Sequence, residues 1–274
     1  MIDALLSGDP FLASALRAAA MASVLCGVLG TFVVLRRLAF LSGGISHAAF
    51  GGLGFCHWLG VAPQWGGLGT AVAAAFFLGS LSSARDRTRD ALVGVLWASG
   101  MASGMLFIHL APGYPPDLGA YLFGNLLLVD QVSLRWLTVG SLLTLGLVVW
   151  LYEDLVALCF DETFAAVQGV RVRWLSTLLL GLVALAVVLL LPVVGLLLVL
   201  AMLTIPPLAA LQISHRLGWV LLLSVGFSIL MTFGGLALSF HWDAPSGPCI
   251  ILLGTALLGI LYLRGILAQR HSLR

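Results

Sequence analysis

The chain has 274 residues, of which 61% are hydrophobic and only 9% charged, with a mean hydropathy of +1.13. Soluble domains carry about 25% charged residues, so this composition excludes a soluble globular fold and implies an integral membrane protein with the lipid bilayer as its surroundings. The net charge of +2 is carried by arginines clustered between apolar runs, a pattern that implies no nucleic-acid partner.

Taken in order, the opening MIDALLSGDP has acids and no basic region, so it does not read as a cleaved signal peptide, and the first apolar segment is expected to stay in the mature protein. Pro10 opens a first span over residues 11–35, closed by Arg36 and Arg37. A second span covers 38–60, and Pro63, Gly66 and Gly67 read as a turn before a third over 68–81. The charged run from Arg85 to Asp90 reads as a solvated loop before a fourth span over 91–110. Residues 117–130 are too few to cross a bilayer and too apolar for an ordinary loop. Asp117, Tyr121 and Asn125 share one face there, which suits a helix at the surface or one that dips in and back out. A fifth span over 132–152 leads into a polar interval over 153–173, and four more follow over 174–191, 194–213, 219–240 and 248–263. The expected fold is therefore all-α and polytopic, with about nine spans forming a single transmembrane domain over residues 1–274. Pro206 and Pro207 are expected to bend or break the seventh span, with Thr204 placed to satisfy a freed carbonyl.

Arginine placement fixes the expected orientation. With the N-terminus outside and the C-terminus cytoplasmic, Arg36, Arg37, Arg85, Arg87, Arg89, Arg171, Arg173, Arg216, Arg264, Arg270 and Arg274 all fall on the cytoplasmic side, leaving Arg17 and Arg135 as exceptions. Cys26, Cys56, Cys159 and Cys249 show no CxxC spacing, which argues against a disulfide framework or a zinc knuckle.

Two places carry chemistry. His47 lies about ten residues into the second span, roughly 15 Å deep at about 1.5 Å per residue, where an ionisable group is costly. Gly44, Ala48 and Gly52 form a small-residue face for close helix packing, while Gly43, His47, Gly51, Gly54 and Trp58 form an adjacent, mostly bare stripe that leaves room beside the ring; Ser46 borders it. The imidazole is either glue to a neighbouring helix or the lining of a polar pathway. The second place is Asp161 to Gly169. Asp161 suits an N-cap, Glu162 the first turn and Gly169 a C-terminal stop, so a helix of barely two turns is expected. So short a helix must pack on something, either its own loops or a separate cytoplasmic protein for which Phe164 would be the anchor. His57, His109, Asp117, Asp130, His241 and Asp243 fall at the outer ends of their spans, where they either attract cations or are simply interfacial.

The motifs VLRR with SHAAFGG, DLGAYLFGN, DETFAAVQGV, LLLVLAMLTIPPLAA and DAPSGP resemble, in order and spacing, the membrane permeases of binding-protein-dependent ABC importers for zinc, manganese and iron. The resemblance implies a bacterial plasma-membrane homodimer worked by cytoplasmic ABC ATPase subunits and fed by an extracytoplasmic metal-binding protein, with a divalent metal ion as substrate and no covalently bound cofactor. It implies that Asp161, Glu162, Phe164, Ala165, Ala166 and Gly169 belong to the coupling helix that docks on the ATPase. His47 would be the pathway histidine and metal ligand, with Gly43, Ser46, Gly51 and Gly54 lining the pathway beside it. His109, Asp117, Tyr121, Asn125, His241 and Asp243 would stand at the outer mouth. Many such permeases carry an aspartate where this chain has Gly43, so the metal stays open between zinc, manganese and iron. No GxxxxGK[ST], GxSxG or HExxH pattern occurs, so ATP hydrolysis is expected in a separate chain and this chain is expected not to be an enzyme. The alternatives are a permease for a metal chelate or siderophore, a stand-alone ion-coupled carrier, or an intramembrane enzyme.

Overall fold

The computed structural model describes residues 10–80, 86–112, 122–124, 126 and 129–272. Among the described residues there is no strand. In chain order the helices are α1 (Pro10–Leu35), α2 (Ala39–Trp58), α3 (Pro63–Ser80), α4 (Asp86–Leu110), α5 (Gln131–Trp150), α6 (Tyr152–Phe160), α7 (Glu162–Val167), α8 (Val172–Val194), α9 (Leu196–Leu211), α10 (Leu217–Trp242) and α11 (Ser246–Ser272). Seven of them, α1, α2, α4, α5, α8, α10 and α11, are long and apolar enough to cross a membrane. The other two apolar helices, α3 and the shorter α9, stand where the third and seventh spans are expected.

The bundle is built around α8, whose Leu179, Val183, Val187, Leu190 and Val194 are fully buried. It packs against α3, α5 and α2, while α1 is held between α10, α9 and α5, and α2 between α4 and α3. At the far side α11 packs on α10 and α9 and leaves Leu252, Ile260, Tyr262 and Leu263 exposed, the pattern of a lipid-facing helix. Polar side chains join α1 to α10. Ser224 Oγ donates to the Gly27 carbonyl at 2.9 Å, and Ser23 Oγ to that of Ser228 at 3.4 Å, bonds that help hold helices together where lipid offers no hydrophobic drive.

Four expectations are corrected. Helix α3 starts at Pro63, five residues before the expected 68, so Gly66 and Gly67 are helical and not a turn. Pro63 sits in the first turn, where its missing N–H costs nothing, and Gly66 is there because a Cβ on it would lie 2.0 Å from the Gly52 carbonyl oxygen of α2. The charged run is not wholly loop either, since α4 is helical from Asp86. The polar interval opens with a further helix, α6, which buries Leu155 and Leu158. Finally, of the bend or break expected at Pro206 and Pro207 the break does not occur, since α9 runs through both as one helix. Thr204 Oγ1 donates to the Leu200 carbonyl at 2.8 Å, not to the Met202 and Leu203 carbonyls that the prolines leave without an i+4 donor. The Leu203 carbonyl instead faces α1, where a Cβ on Gly30 would come within 2.5 Å of it.

Candidate functional site

His47 is on the buried face of α2 and only 4% exposed. Its ring lies on the Trp97 indole of α4, centroids 4.7 Å apart and planes 35° apart, and Phe40 approaches the same indole at 5.6 Å. Among the described residues neither Nδ1 nor Nε2 has a hydrogen-bond partner. Leaving a buried polar atom unpaired costs about 1–3 kcal/mol, so packing alone is a poor reason to keep an imidazole here.

The glycine stripe beside His47 is the seat of α4, not vacant space. A Cβ on Gly43 would meet Trp97 Cζ3 at 3.1 Å, one on Gly51 the Ser103 Oγ at 2.8 Å, and one on Gly54 the Gly104 carbonyl oxygen at 2.6 Å. The room expected beside the ring is thus filled by Trp97, because residues without side chains let two backbones close on each other. Gly44 and Gly52 face Val93 of α4 and Gly66 of α3 in the same way. Ser46 is fully buried and spends its hydroxyl on the Ser42 carbonyl at 2.8 Å. Among the described residues no three His, Cys, Asp or Glu side chains come together as a metal cage, so one chain offers a single imidazole.

The second place forms as its sequence predicts. Asp161 Oδ1 accepts from Thr163 N at 2.8 Å, Phe164 N at 3.2 Å and Thr163 Oγ1 at 2.6 Å. These bonds, the Thr163 hydroxyl first, hold its carboxyl below the usual carboxylate range. At the other end Gly169 takes φ +88°, a left-handed geometry that glycine adopts without strain, and Val170 N closes the turn on the Ala165 carbonyl at 3.0 Å. Ala165 is fully buried, and Glu162, Ala166 and Gly169 are exposed. Phe164 and Val167 project outward at 56% and 86% exposure, next to Phe160 at 73%. A six-residue helix thus spends one small side chain on its own bundle and offers its large ones elsewhere.

What sequence reading missed is how this helix is anchored. Arg36, read above only for its charge, forms an ion pair with Glu162 and donates from Nη1 to the Leu158 carbonyl at 2.9 Å. Its Nη2 also reaches Ser176 Oγ at 3.5 Å. The partners are more than 120 residues apart, and no local signal pairs them.

The candidate mouth residues that are described lie at the ends of α4, α5 and α10. His109 and His241 are exposed in the last turns of α4 and α10. Asp243 takes φ 52° as the left-handed cap of α10, its N–H bonding the Ser239 carbonyl. Asp130 caps α5 through Val132 N at 3.1 Å and Ser133 N at 3.0 Å. Partial burial pushes its carboxyl up, but those hydrogen bonds outweigh it and the net direction is down. Asp117, Tyr121 and Asn125 lie outside the described residues. A cavity of about 370 Å³ between α2, α3, α5 and α8 is lined mostly by apolar side chains, Trp65 and Trp136 among them, with Gln64, Asp130 and Ser133 as its polar members; His47 does not line it.

Comparison with known proteins finds similar chains. The sequence profile described as the ABC 3 transport family matches residues 8–264. A probable metal transport system membrane protein of Chlamydia pneumoniae is 37% identical over 86% of this chain and 83% of its own length. The manganese transport system membrane protein MntC of Halalkalibacterium halodurans is 33% identical over 95% of this chain and 89% of its own. Among solved structures, PsaBC from Streptococcus pneumoniae in complex with Fab superposes with a TM-score of 0.85 at 26% identity, covering 96% of this chain and 95% of that one.

Proposed function

The chain belongs to the ABC 3 transport family, and from that premise we propose that it is the permease subunit of an ATP-driven importer for a divalent transition metal ion, zinc, manganese or iron. It is a multi-pass protein of the bacterial plasma membrane, and membership of a transport family favours a transport role over the intramembrane enzyme. The observation that carries the proposal is α7: a short, well-capped helix that keeps Phe164 and Val167 exposed. That is the form of a socket piece for another protein, here the ATPase subunits that supply energy this chain has no motif to extract.

In this reading two copies of the chain pair so that each contributes His47. Two neutral imidazoles and water bind a cation well enough to admit it and weakly enough to release it. Closure of the ATPases on nucleotide pushes α7 and rocks the spans, exposing His47 to one side and then the other. An extracytoplasmic binding protein delivers the ion at the ends bearing His109 and His241.

Co-purification tests the reading. Expressed with its natural partners, the wild-type chain carries the ATPase through detergent purification, the captured binding protein holds zinc, manganese or iron, and Phe164→Asp releases the ATPase. Recovery of the chain without any ATPase would refute it, as would full retention of the ATPase by Phe164→Asp. Competition of uptake by free against chelated metal separates the ion from a siderophore.

A further inference from the structure

We infer that Arg36 is the positioning residue that ties the ATPase-facing helix to the helix bearing His47, an inference that rests on the docking role proposed for α7. Arg36 follows the last residue of α1 directly, and its own N–H closes that helix on the Phe32 carbonyl at 3.0 Å. The next residue, Arg37, takes φ 56°, Leu38 N bonds the Val33 carbonyl at 2.8 Å, and α2 begins at Ala39. Arg36 is therefore part of the tight turn from which α2, and with it His47, departs.

Its guanidinium joins three elements at once. Nη1 holds the Leu158 carbonyl, one of the last four of α6 and so without a partner inside that helix. Nη2 holds the Glu162 carboxylate in the first turn of α7 and touches Ser176 of α8. The main packing neighbours of α7 are α6 and α8, so the ion pair is its side-chain link to the α1–α2 turn. Arg36 is 16% exposed and Glu162 57%, an arrangement in which a largely buried cation holds a carboxylate on an exposed helix. The planar guanidinium presents its donors to both acceptors in a fixed fork, which a lysine ammonium, with three rotatable donors on one nitrogen, does not. With its carboxylate 57% exposed, the ion pair itself adds little to stability, so exchanging the two charges reads transmission and not the scaffold. A push on α7 reaches the turn through Glu162 and Arg36, and the turn is where α2 is hinged.

The test uses the complete complex in proteoliposomes, with ATP hydrolysis and metal uptake measured on the same sample. Arg36→Ala is expected to retain the ATPase at wild-type level and to hydrolyse ATP while uptake per ATP falls about tenfold, the size of a typical coupling between sites. Arg36→Lys is expected to fall between the two. Arg36→Glu is expected to uncouple, and Arg36→Glu combined with Glu162→Arg to recover uptake per ATP in part, because the exchange restores the ion pair but not the bond to the Leu158 carbonyl; a misfolded variant would show no such rescue. Unchanged uptake per ATP in Arg36→Ala, or no rescue by the charge exchange, overturns the inference. Failure of the wild-type chain to hold the ATPase overturns the docking role itself, a different result from loss of coupling in an assembled complex.

Discussion

Gly100 sets the distance between α2 and α4. A Cβ placed on it would lie 2.3 Å from the His47 carbonyl oxygen, 2.6 Å from its carbon and 2.8 Å from Ala48 N, all backbone atoms that cannot swing aside. Carbon and oxygen in contact prefer about 3.3–3.6 Å, so Gly100→Ala must push α4 off α2 by roughly 1 Å, lifting Trp97 from His47 as it does so. Overpacking of this kind costs about 1–3 kcal/mol. Gly94, on the same helix, supplies the control, because a Cβ there meets nothing within 4 Å. Both substitutions gain the same helix propensity, about 0.5–1 kcal/mol, so the difference between them isolates packing. For a chain of this size that difference lowers the melting temperature of Gly100→Ala below that of Gly94→Ala by roughly 2–12 °C. Thermal unfolding of both variants in one detergent measures it. A Gly100→Ala chain as stable as Gly94→Ala would refute the close contact of α2 with α4.

Other consequences follow from the same packing. Gly30→Ala is expected to destabilise the chain by about 1–3 kcal/mol, because its Cβ would strike the Leu203 carbonyl 2.5 Å away; the same thermal assay reads it. Gly195→Ala is expected to cost at least as much, since that residue needs φ 78° and lies with its Cβ position 2.1 Å from Gly124 N. Trp97→Ala uncovers His47, so an imidazole-modifying reagent followed by peptide mass mapping should label His47 faster than in the wild type. The cap of α7 carries a pH dependence. Asp161 has a folded-state pKa below its ordinary 3.8, so its contribution is complete above that value and is lost as pH falls through the lower folded-state pKa. Hydrogen exchange at Thr163 and Phe164, corrected for the intrinsic rate, should therefore show constant protection down to about pH 4 and less below it.

Apolar runs and their punctuation made the helices legible, because in lipid a segment of the right length has no other way to satisfy its backbone. The ends of α7 were legible for a local reason: Asp161 and Gly169 act on atoms within a few residues of themselves. The start of α3 was not. Glycine serves both as a turn residue and as a point of close approach, and only the position of α2 shows that Gly66 does the second. The same ambiguity hid the seat of Trp97, since a bare stripe reads equally as open space or as a place another helix fills. Asp243 read as a charge at an outer mouth, and nothing local showed that its backbone also caps α10. Arg36 announced its side of the membrane by charge but not its partners, which are brought to it by the folding of α6 and α7.

The central claim is that a metal ion passes His47, driven by hydrolysis in a partner chain. Uptake of radiolabelled zinc, manganese and iron into proteoliposomes holding the full complex, with wild type and His47→Ala compared at matched ATPase content, tests it most directly. The account predicts ATP-dependent uptake of at least one of these ions by the wild type and its loss in His47→Ala with the assembly intact. Undiminished uptake by His47→Ala would contradict it.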